Sequence, residues 1–304
     1  MLEDIKQTYK IDKRACVAIT IAKILKRITH AKCFDRSRIL QKSYIEPKFR
    51  CLARQYTKKS YGIEQTPYTN NTIWVYWAQG REQMPNIVKR CVEQIDKMKG
   101  SYQLVLLDNE TYEHYVDLPK VIRTKLREGK ISLTTFSDIL RFALLHKYGG
   151  WWMDATIYPL YQLEKQTSLY TLKTEYCDEW ISCSRWSAFL WYLPAGHPLS
   201  AYVSVAWEKY WSENDCLIEY FLIDHFVRLF YDTNLSFREE IDSLEPSSNL
   251  EGLYFMQSKE ALRDFDENRW KEICTMTKFL KCSWKTMPDD KDVQTSQQSY
   301  IARL

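Results

Sequence analysis

The stretch Ser137–Leu160, SDILRFALLHKYGGWWMDATIYPL, decides the fold class of this 304-residue chain. Its first half has apolar residues at helical spacing, and Asp138 and Arg141, three residues apart, share one face of the predicted helix. Gly149–Gly150 ends that helix and lets the backbone approach a neighbour closely. The apolar residues that follow predict a short buried strand that delivers Asp154 to its end. Ligands bind at strand ends in open α/β sheets, so this stretch predicts a binding site.

Alternating strands and helices before this stretch predict a parallel sheet. Ile73–Trp77 and Tyr102–Leu107 have the composition of buried strands. The helix between them begins at Pro85 and ends at Gly100. Strand, helix and strand with short connections are typical of a βαβ unit, whose two strands are parallel. A further helix is expected over Pro119–Gly129.

The chain after Asp154 predicts two more strands and two long helices. The strands are expected at Trp180–Cys183 and Phe189–Leu193. The helices are expected near Pro198–Trp211 and Cys216–Tyr231. Together these elements indicate an α/β protein.

The composition is that of an ordinary globular chain with many aromatic residues. Hydrophobic residues make up 45% of the sequence, enough to bury a sizeable core. Eleven Trp and 21 Tyr suit a site that stacks bases or sugars, and suit an aromatic core equally well. The nine Cys are scattered without zinc spacing, which favours reduced thiols in a cytoplasmic protein. No long apolar stretch predicts a membrane span and no signal-peptide pattern follows Met1.

The charge is concentrated in the first sixty residues. Residues 1–60 contain 16 Lys and Arg against 5 Asp and Glu, a net +11, whereas the remaining chain carries −7. Ala15–Ile28 alternates apolar and basic residues as a cationic amphipathic helix does. This helix either contacts an anionic membrane surface or packs on the main domain. Nucleic-acid binding is disfavoured because no nucleic-acid-binding motif accompanies the charge. The polar segment 59–71 is the expected boundary of the main domain.

The central stretch is similar to the SDxxR…GGxYxDxD signature of family 32 glycosyltransferases and the sugar-transferring clostridial toxins. It resembles the bacterial capsular polysaccharide synthesis glycosyltransferases more closely. TIWVYWAQG (Thr72–Gly80), IEYFLIDHF (Ile218–Phe226) and KFLKCSW (Lys278–Trp284) resemble that group in the same order. The resemblance implies a GT-A fold, a Rossmann-like α/β fold that binds nucleotide-diphospho-sugars. We therefore expect a basic helical segment over 1–70, a GT-A domain over 71–290 and a polar, mobile tail over 291–304.

The sequence departs from the family pattern at its Asp-Xaa-Asp motif. Here the motif is Asp154-Ala155-Thr156, with a hydroxyl in place of the second carboxylate. The resemblance implies that Asp154, with Thr156, holds a Mn²⁺ or Mg²⁺ ion or the ribose. Such ions usually take one or two carboxylates together with phosphate oxygens and water. A metal site is therefore expected here, and the sequence leaves open whether activity strictly requires the metal.

A UDP-sugar donor needs an aromatic platform for its base and polar groups for its ribose. By resemblance, Trp74 lies where related enzymes stack uracil. Trp77 and Gln79 follow along and beyond the same strand, where a base could be stacked and hydrogen-bonded. Alternate strand residues face opposite ways, so the two tryptophans need not share a role, and both could be core residues.

The resemblance also assigns residues to the binding of the donor sugar and its diphosphate. Asp138 and Arg141 resemble the pair that holds these groups, because a guanidinium fork matches phosphate oxygens. An intrahelical ion pair is the plain alternative. By the same resemblance, Gly149 and Gly150 are expected to let the backbone approach the bound donor closely. Lysines and aromatic or hydroxyl groups near the C-terminus could close over it, unless they form a solvated face: Lys278, Lys281, Ser283, Trp284 and Lys285.

Asp224 is the candidate for the acceptor side of the sugar. Retaining transfer needs a group that stabilises an oxocarbenium-like centre or attacks it. Asp224 lies among aromatic residues where the family places such an acid, and an acid that packs a helix is the alternative.

These observations predict a retaining transferase of glucose or galactose from a UDP-sugar to a lipid-linked or oligosaccharide acceptor. The expected setting is capsular or surface polysaccharide synthesis in the cytoplasm, at the inner face of the plasma membrane. The alternatives are a hexose-phosphate transferase of capsule assembly, a non-catalytic sugar-nucleotide-binding relative, and a membrane scaffold.

Overall fold

A five-stranded sheet organises the protein. The computed structural model describes residues 2–29, 35–57, 65–178, 180–285 and 298–304. The sheet has the strand order β2-β1-β3-β6-β5. Its strands are β1 (Thr72–Tyr76), β2 (Gln103–Leu107), β3 (Gly150–Met153), β5 (Tyr170–Thr171) and β6 (Leu190–Leu193). β1 pairs in parallel with β2 and β3, whereas β6 is antiparallel to both of its neighbours.

A second, two-stranded sheet lies beside the site. It pairs β4 (Ile157–Pro159), which follows β3 closely in the chain, with β7 (Phe279–Lys281) in antiparallel register. The register places Ile157 opposite Lys281. The last part of the domain is thereby fixed next to the residues that follow β3.

Helices cover both faces of the large sheet. They are α1 (Leu2–Ile11), α2 (Lys13–Thr29), α3 (Arg36–Leu40), α4 (Glu46–Gln55), α5 (Asn86–Met98), α6 (Lys120–Arg127), α7 (Leu133–Lys147), α8 (Pro198–Glu213), α9 (Leu222–Thr233), α10 (Leu235–Asp242), α11 (Leu250–Tyr254), α12 (Glu267–Met276) and α13 (Tyr300–Arg303). A π-helical segment, Gln41–Ile45, joins α3 to α4.

The central strands are buried on both faces, as strands covered by helices must be. Trp74 and Trp152 point into a core formed with α7, α8 and α9. Ile73 and Trp151 point into a second core formed with α5, α11 and α12. This alternation explains the continuous apolar runs of β1 and β3. The α/β class predicted from the sequence is confirmed, and the architecture is that of a Rossmann-like GT-A fold.

The N-terminal helices share the first of these cores. Phe49 of α4 packs against Phe226 of α9, with 5.0 Å between ring centroids. Ala15 and Ile19 of α2 are buried in the same core. Of the expected boundary 59–71, residues 59–64 lie outside the described residues, and 67–71 form a turn before β1.

Two predicted elements were wrong. Trp180–Cys183 forms turns, because Cys183 and Ser184 have φ values of +50° and +61°, which end a strand. The helix expected from Cys216 begins only at Leu222, after an irregular segment. In the tail that the sequence predicts to be mobile, Ser299 pairs with Asp264 and Tyr300 is buried against α12. Residues 291–297 of that tail lie outside the described residues.

Candidate active site

Asp154 is the centre of a charged cluster just beyond the carboxyl end of β3. Its Oδ1 accepts hydrogen bonds from Arg141 Nη2 at 3.0 Å and from Trp152 Nε1 at 2.9 Å. Its Oδ2 accepts from Lys281 Nζ at 3.1 Å. Burial alone would raise the pKa of Asp154, but the charges of Lys281 and Arg141 outweigh burial and hold the pKa below its ordinary value. The side chain is still 28% exposed, so a ligand can reach it.

Arg141 holds two carboxylates together beneath the site. It lies on α7, one turn after Asp138, and its Nη1 is 3.0 Å from Asp138 Oδ1. Its guanidinium also lies over the Trp152 ring, 5.2 Å from the ring centroid. The side chain of Arg141 is only 3% exposed. Both ends of the guanidinium fork therefore pair with protein carboxylates. Arg141 thus positions two acids, whereas the sequence predicted that it binds phosphate directly.

Asp138 is an unusually basic carboxylate. Burial raises the pKa of Asp138 to about 7, the nearby charges of Asp154 and Asp224 act in the same direction, and Arg141 opposes them. Near neutral pH Asp138 is therefore divided between its protonated and ionised forms. A carboxyl group in this state can donate a hydrogen bond to a sugar hydroxyl or accept one from it.

Asp224 lies in the first turn of α9 and faces this cluster. It is buried and accepts a hydrogen bond from Trp186 Nε1 at 2.9 Å. Burial raises the pKa of Asp224 to about 6, against the Trp186 hydrogen bond and the charge of Arg141. Three carboxylates from three elements, Asp138, Asp154 and Asp224, thus converge near one cation.

Lys281 is held rigidly at the other side of Asp154. Its backbone belongs to β7, and the next residue, Cys282, donates its backbone N–H to the carbonyl of Thr156 at 2.8 Å. The ammonium donates to Asp154 and also to Thr156 Oγ1 at 2.8 Å. It lies 4.6 Å from the centroid of the Phe189 ring. The two side chains predicted to hold a metal therefore hold an ammonium group.

These side chains do not fit the metal site that the sequence predicts. Both oxygens of Asp154 already accept hydrogen bonds from cations or an indole, and the hydroxyl of Thr156 accepts from Lys281. A divalent ion between Asp154 and Thr156 would lie against the ammonium, which repels it. Within the described ranges, no group of three His, Cys, Asp or Glu side chains has the arrangement of a metal site.

The predicted base platform divides into a buried and an accessible part. Trp74 is fully buried, its Nε1 donates to Gly149 O at 3.0 Å, and its ring packs against those of Tyr115 and Tyr148. We therefore assign Trp74 to the core in place of the predicted uracil contact. Trp77, beyond the carboxyl end of β1, is half-buried.

Trp77 meets the C-terminal segment at the same edge of the sheet. Its ring is 5.8 Å from that of Trp284, in an edge-on arrangement, and Trp284 and Gln79 are exposed. Lys285 lies over Trp284, 5.4 Å from the ring centroid. Ser283 Oγ accepts from the backbone N–H of Lys285 at 3.3 Å. The structure thus brings two of the predicted aromatic groups together.

The structure places three other predicted site residues away from this edge. Lys278 is exposed at the opposite end of β7 from Lys281. Gly149 and Gly150 lie at the start of β3, whereas Asp154 follows its end. A Cβ on Gly150 would lie 2.3 Å from Thr72 O. The close approach is therefore to neighbouring backbone, and at Gly149 also to the Asn70 side chain, so we correct the predicted cofactor role of Gly149 and Gly150 to strand packing.

The sequence interpretation missed three residues near the site. Asp108 follows β2 at the same sheet edge, and the acid directly after a predicted strand was the available signal. Burial and the charges of Asp138 and Asp154 raise the pKa of Tyr220, whose side chain is largely exposed near them. Trp186, the partner of Asp224, had no recognisable pattern around it.

The fold and this cluster define an α/β protein of the GT-A type with its charged site at the carboxyl edge of the sheet. Residues 22–304 match the family described as capsular polysaccharide synthesis protein, and the chain belongs to that family. It is also similar to the O-glycosyltransferase PaGT of Phomopsis amygdali, with 34% identity over 95 residues. That match covers 28% of this chain and 23% of the relative. In the described part of the chain, no helix has the length and apolar character needed to cross a bilayer.

Proposed function

We propose that this protein is a retaining glycosyltransferase of capsular or surface polysaccharide synthesis. The donor is a UDP-hexose, with glucose or galactose as the sugar, and the acceptor is a lipid-linked or free oligosaccharide. Membership of the capsular polysaccharide synthesis family and the name of the fungal relative support transfer of a sugar. The resemblance to family 32 and the clostridial toxins supports the UDP-sugar donor and retention.

One observation carries the proposal. Three carboxylates converge at the carboxyl edge of a GT-A sheet and are balanced by two cations, Arg141 and Lys281. Strongly perturbed carboxylates in such an arrangement are typical of functional sites.

The reaction breaks the bond between the anomeric carbon and the diphosphate oxygen, and the electron pair stays on the diphosphate. The acceptor hydroxyl oxygen bonds to the same face of the anomeric carbon, and its proton passes to the departing phosphate oxygen. The sugar therefore keeps its anomeric configuration. Asp224 stabilises the positive charge that develops at the anomeric carbon, and Asp138 binds hydroxyls of the donor sugar.

The base and ribose lie at the carboxyl ends of β1 and β2 in this proposal. The half-buried Trp77 and the exposed Trp284 offer ring faces for stacking, and Gln79 offers an amide for hydrogen bonding. Asp108, which directly follows β2, offers a carboxylate to a ribose held there.

A donor screen tests the proposal. Purified protein is incubated with each UDP-sugar and an oligosaccharide acceptor, the released nucleotide is identified, and the product anomer is assigned by NMR. Release of UDP with a retained anomer supports the proposal, whereas release of UMP identifies a hexose-phosphate transferase. Asp154→Asn should lower turnover by about 10²-fold or more.

The control is Asp96→Asn, which changes an exposed acid on α5 that pairs with Lys99. This variant should keep full turnover. UDP-sugar binding without any turnover across the screen, or equal turnover in both variants, would contradict the proposal.

A further inference from the structure

We infer that the ammonium of Lys281 is the resident cation of the donor site and binds the leaving diphosphate in place of a divalent metal ion. This inference rests on the proposed function. It goes beyond it by assigning the charge that stabilises the leaving group to one side chain.

The position of the ammonium carries the inference. It lies between Asp154 and Thr156, at 3.1 Å and 2.8 Å from their oxygens, which are the two side chains of the degenerate Asp-Xaa-Asp motif. A lysine has three donor hydrogens. Asp154 and Thr156 accept two of them, and the 17% exposure of the side chain leaves the group open to a ligand.

The setting of Lys281 is that of a positioned charge. Its backbone is fixed by the β4–β7 pairing, and the Phe189 ring lies 4.6 Å from its ammonium. A fixed cation stabilises a developing negative charge without reorganisation during the reaction. The missing second acid of the motif is also consistent with this role, because one carboxylate matches one ammonium, whereas a divalent ion needs more negative charge.

The first test measures the wild-type protein with a chelator. Turnover and UDP binding, the latter by calorimetry, should persist in excess EDTA, and Mn²⁺ should show no protein-bound signal by electron paramagnetic resonance. Lys281→Met keeps the linear apolar stem and removes the charge. It should weaken UDP binding by about tenfold or more and lower turnover by about 10²-fold or more, with EDTA present throughout.

The matched control is Lys271→Met, an exposed lysine on α12 that pairs with Glu267. It should bind UDP and turn over donor as the wild type does. A second variant tests the geometry directly: combining Lys281→Met with Thr156→Asp should create Mn²⁺ binding that neither the wild type nor Lys271→Met has.

The outcomes separate this inference from the proposed function. Turnover that EDTA abolishes and Mn²⁺ restores overturns the inference and leaves the glycosyltransferase intact. An absence of turnover with every donor contradicts the function. In that case the affinity for UDP, measured in EDTA, still tests the inference. Equal UDP affinities of the wild type and Lys281→Met would overturn it.

A separate observation concerns α2 at the N-terminus. Its buried face, with Ala15 and Ile19, belongs to the core. On the opposite face Val17, Ile21 and Ile24 are each more than half exposed. Successive residues of an α-helix are rotated by about 100°, so these three share one stripe within an arc of about 60°.

Basic residues continue this stripe toward the start of the helix. Lys13 and Arg14 are exposed and widen the arc only to about 100°. Exposed Lys6 and Lys10 precede them on α1. An apolar stripe next to a cluster of cations, on a helix that lies along the surface, matches the boundary between anionic headgroups and acyl chains.

The geometry points to this face as a docking site for an anionic lipid bilayer. A protein partner would not by itself require several exposed cations at one end of the stripe. A lipid-linked acceptor presents its sugar at such a surface, so docking would hold the protein at the membrane that carries the acceptor.

Vesicle flotation tests the docking. The protein should float with phosphatidylcholine vesicles that contain phosphatidylglycerol and not with phosphatidylcholine alone, and the bound fraction should fall as salt rises. Exchanging Lys13 or Arg14 for Gln should weaken partitioning about fivefold each. Exchanging Ile21 or Ile24 for Asn should weaken it about tenfold.

Controls of the same chemistry come from elsewhere on the surface. Leu235→Asn removes another exposed apolar side chain, at the start of α10, and Lys271→Gln another exposed cation. Both should float as the wild type does. Equal flotation with neutral vesicles, no flotation, or a dimer that Ile21→Asn converts to a monomer would overturn the membrane assignment.

Discussion

Replacing Asp138 by Asn should make the protein more stable than the wild type at neutral pH, although the substitution damages the site. Burial holds the pKa of Asp138 at about 7, well above the ordinary 3.8 that it regains in the unfolded chain. Between these values the folded protein keeps a proton that the unfolded chain has lost. The wild type therefore loses stability as pH rises through this window, and the loss is complete above about pH 7.

The magnitude follows from the same two values. The penalty grows by up to about 1.4 kcal/mol per pH unit and reaches at most about 4 kcal/mol. The amide of the Asp138→Asn variant has no charge to bury, so the variant avoids the penalty. The contact of the ionised carboxylate with Arg141 is already included in the pKa of about 7, so losing it does not alter the pH trend.

Denaturant unfolding of both proteins at pH 5, 6, 7 and 8 measures the difference directly. The variant should gain on the wild type steadily from pH 5 to about 7 and then keep a constant lead. Asp96→Asn is the control, because Asp96 and Lys99 form an exposed pair with the same spacing of three residues. It should change the free energy of unfolding by less than about 1 kcal/mol throughout. A difference for Asp138→Asn that does not vary with pH would refute the explanation.

Other substitutions test the remaining assignments. Arg141→Lys keeps the charge but cannot span two carboxylates that are each 3.0 Å from the guanidinium, so turnover should fall by about 10-fold to 100-fold; unchanged kinetics would contradict its positioning role. Gly150→Ala should destabilise the protein far more than Gly129→Ala in denaturant titration, because a Cβ meets Thr72 O at 2.3 Å in the first case and nothing within 4 Å in the second. Trp77→Ala should raise the Kd for UDP about tenfold with little change in Tm. Trp74→Phe should do the reverse, lowering Tm and leaving UDP affinity intact.

The parts of the fold that the sequence predicted are those with local signals. β1, α5 and β2 follow from apolar runs and from Pro85 and Gly100, which mark the ends of the helix. Trp180–Cys183 has the composition of a strand, and its turn depends on left-handed backbone at Cys183 and Ser184, which no propensity of those residues predicts.

The sequence offered site candidates from several segments, Asp224 and Lys281 among them, but it predicted which side chains lie close together only where one segment carries them. Asp138, Arg141 and Asp154 occur within one stretch, so their proximity was expected, although the direction of the Arg141 fork was not. Lys281 is 127 residues from Asp154, and only the β4–β7 pairing brings them together. The neutral-range pKa of Asp138 likewise depends on burial and on Asp224, which come from tertiary packing.

The pairing of β4 with β7 also sets an order in time. During synthesis Asp154 is added 127 residues before Lys281, which corresponds to about 6 to 25 s at ordinary rates of elongation. Once Leu193 has been added, all five strands of the large sheet are present, while the carboxylate still lacks its ammonium partner. The charge balance of the centre is completed only in the last tenth of the chain, so a prematurely terminated product would carry the sheet without a working site.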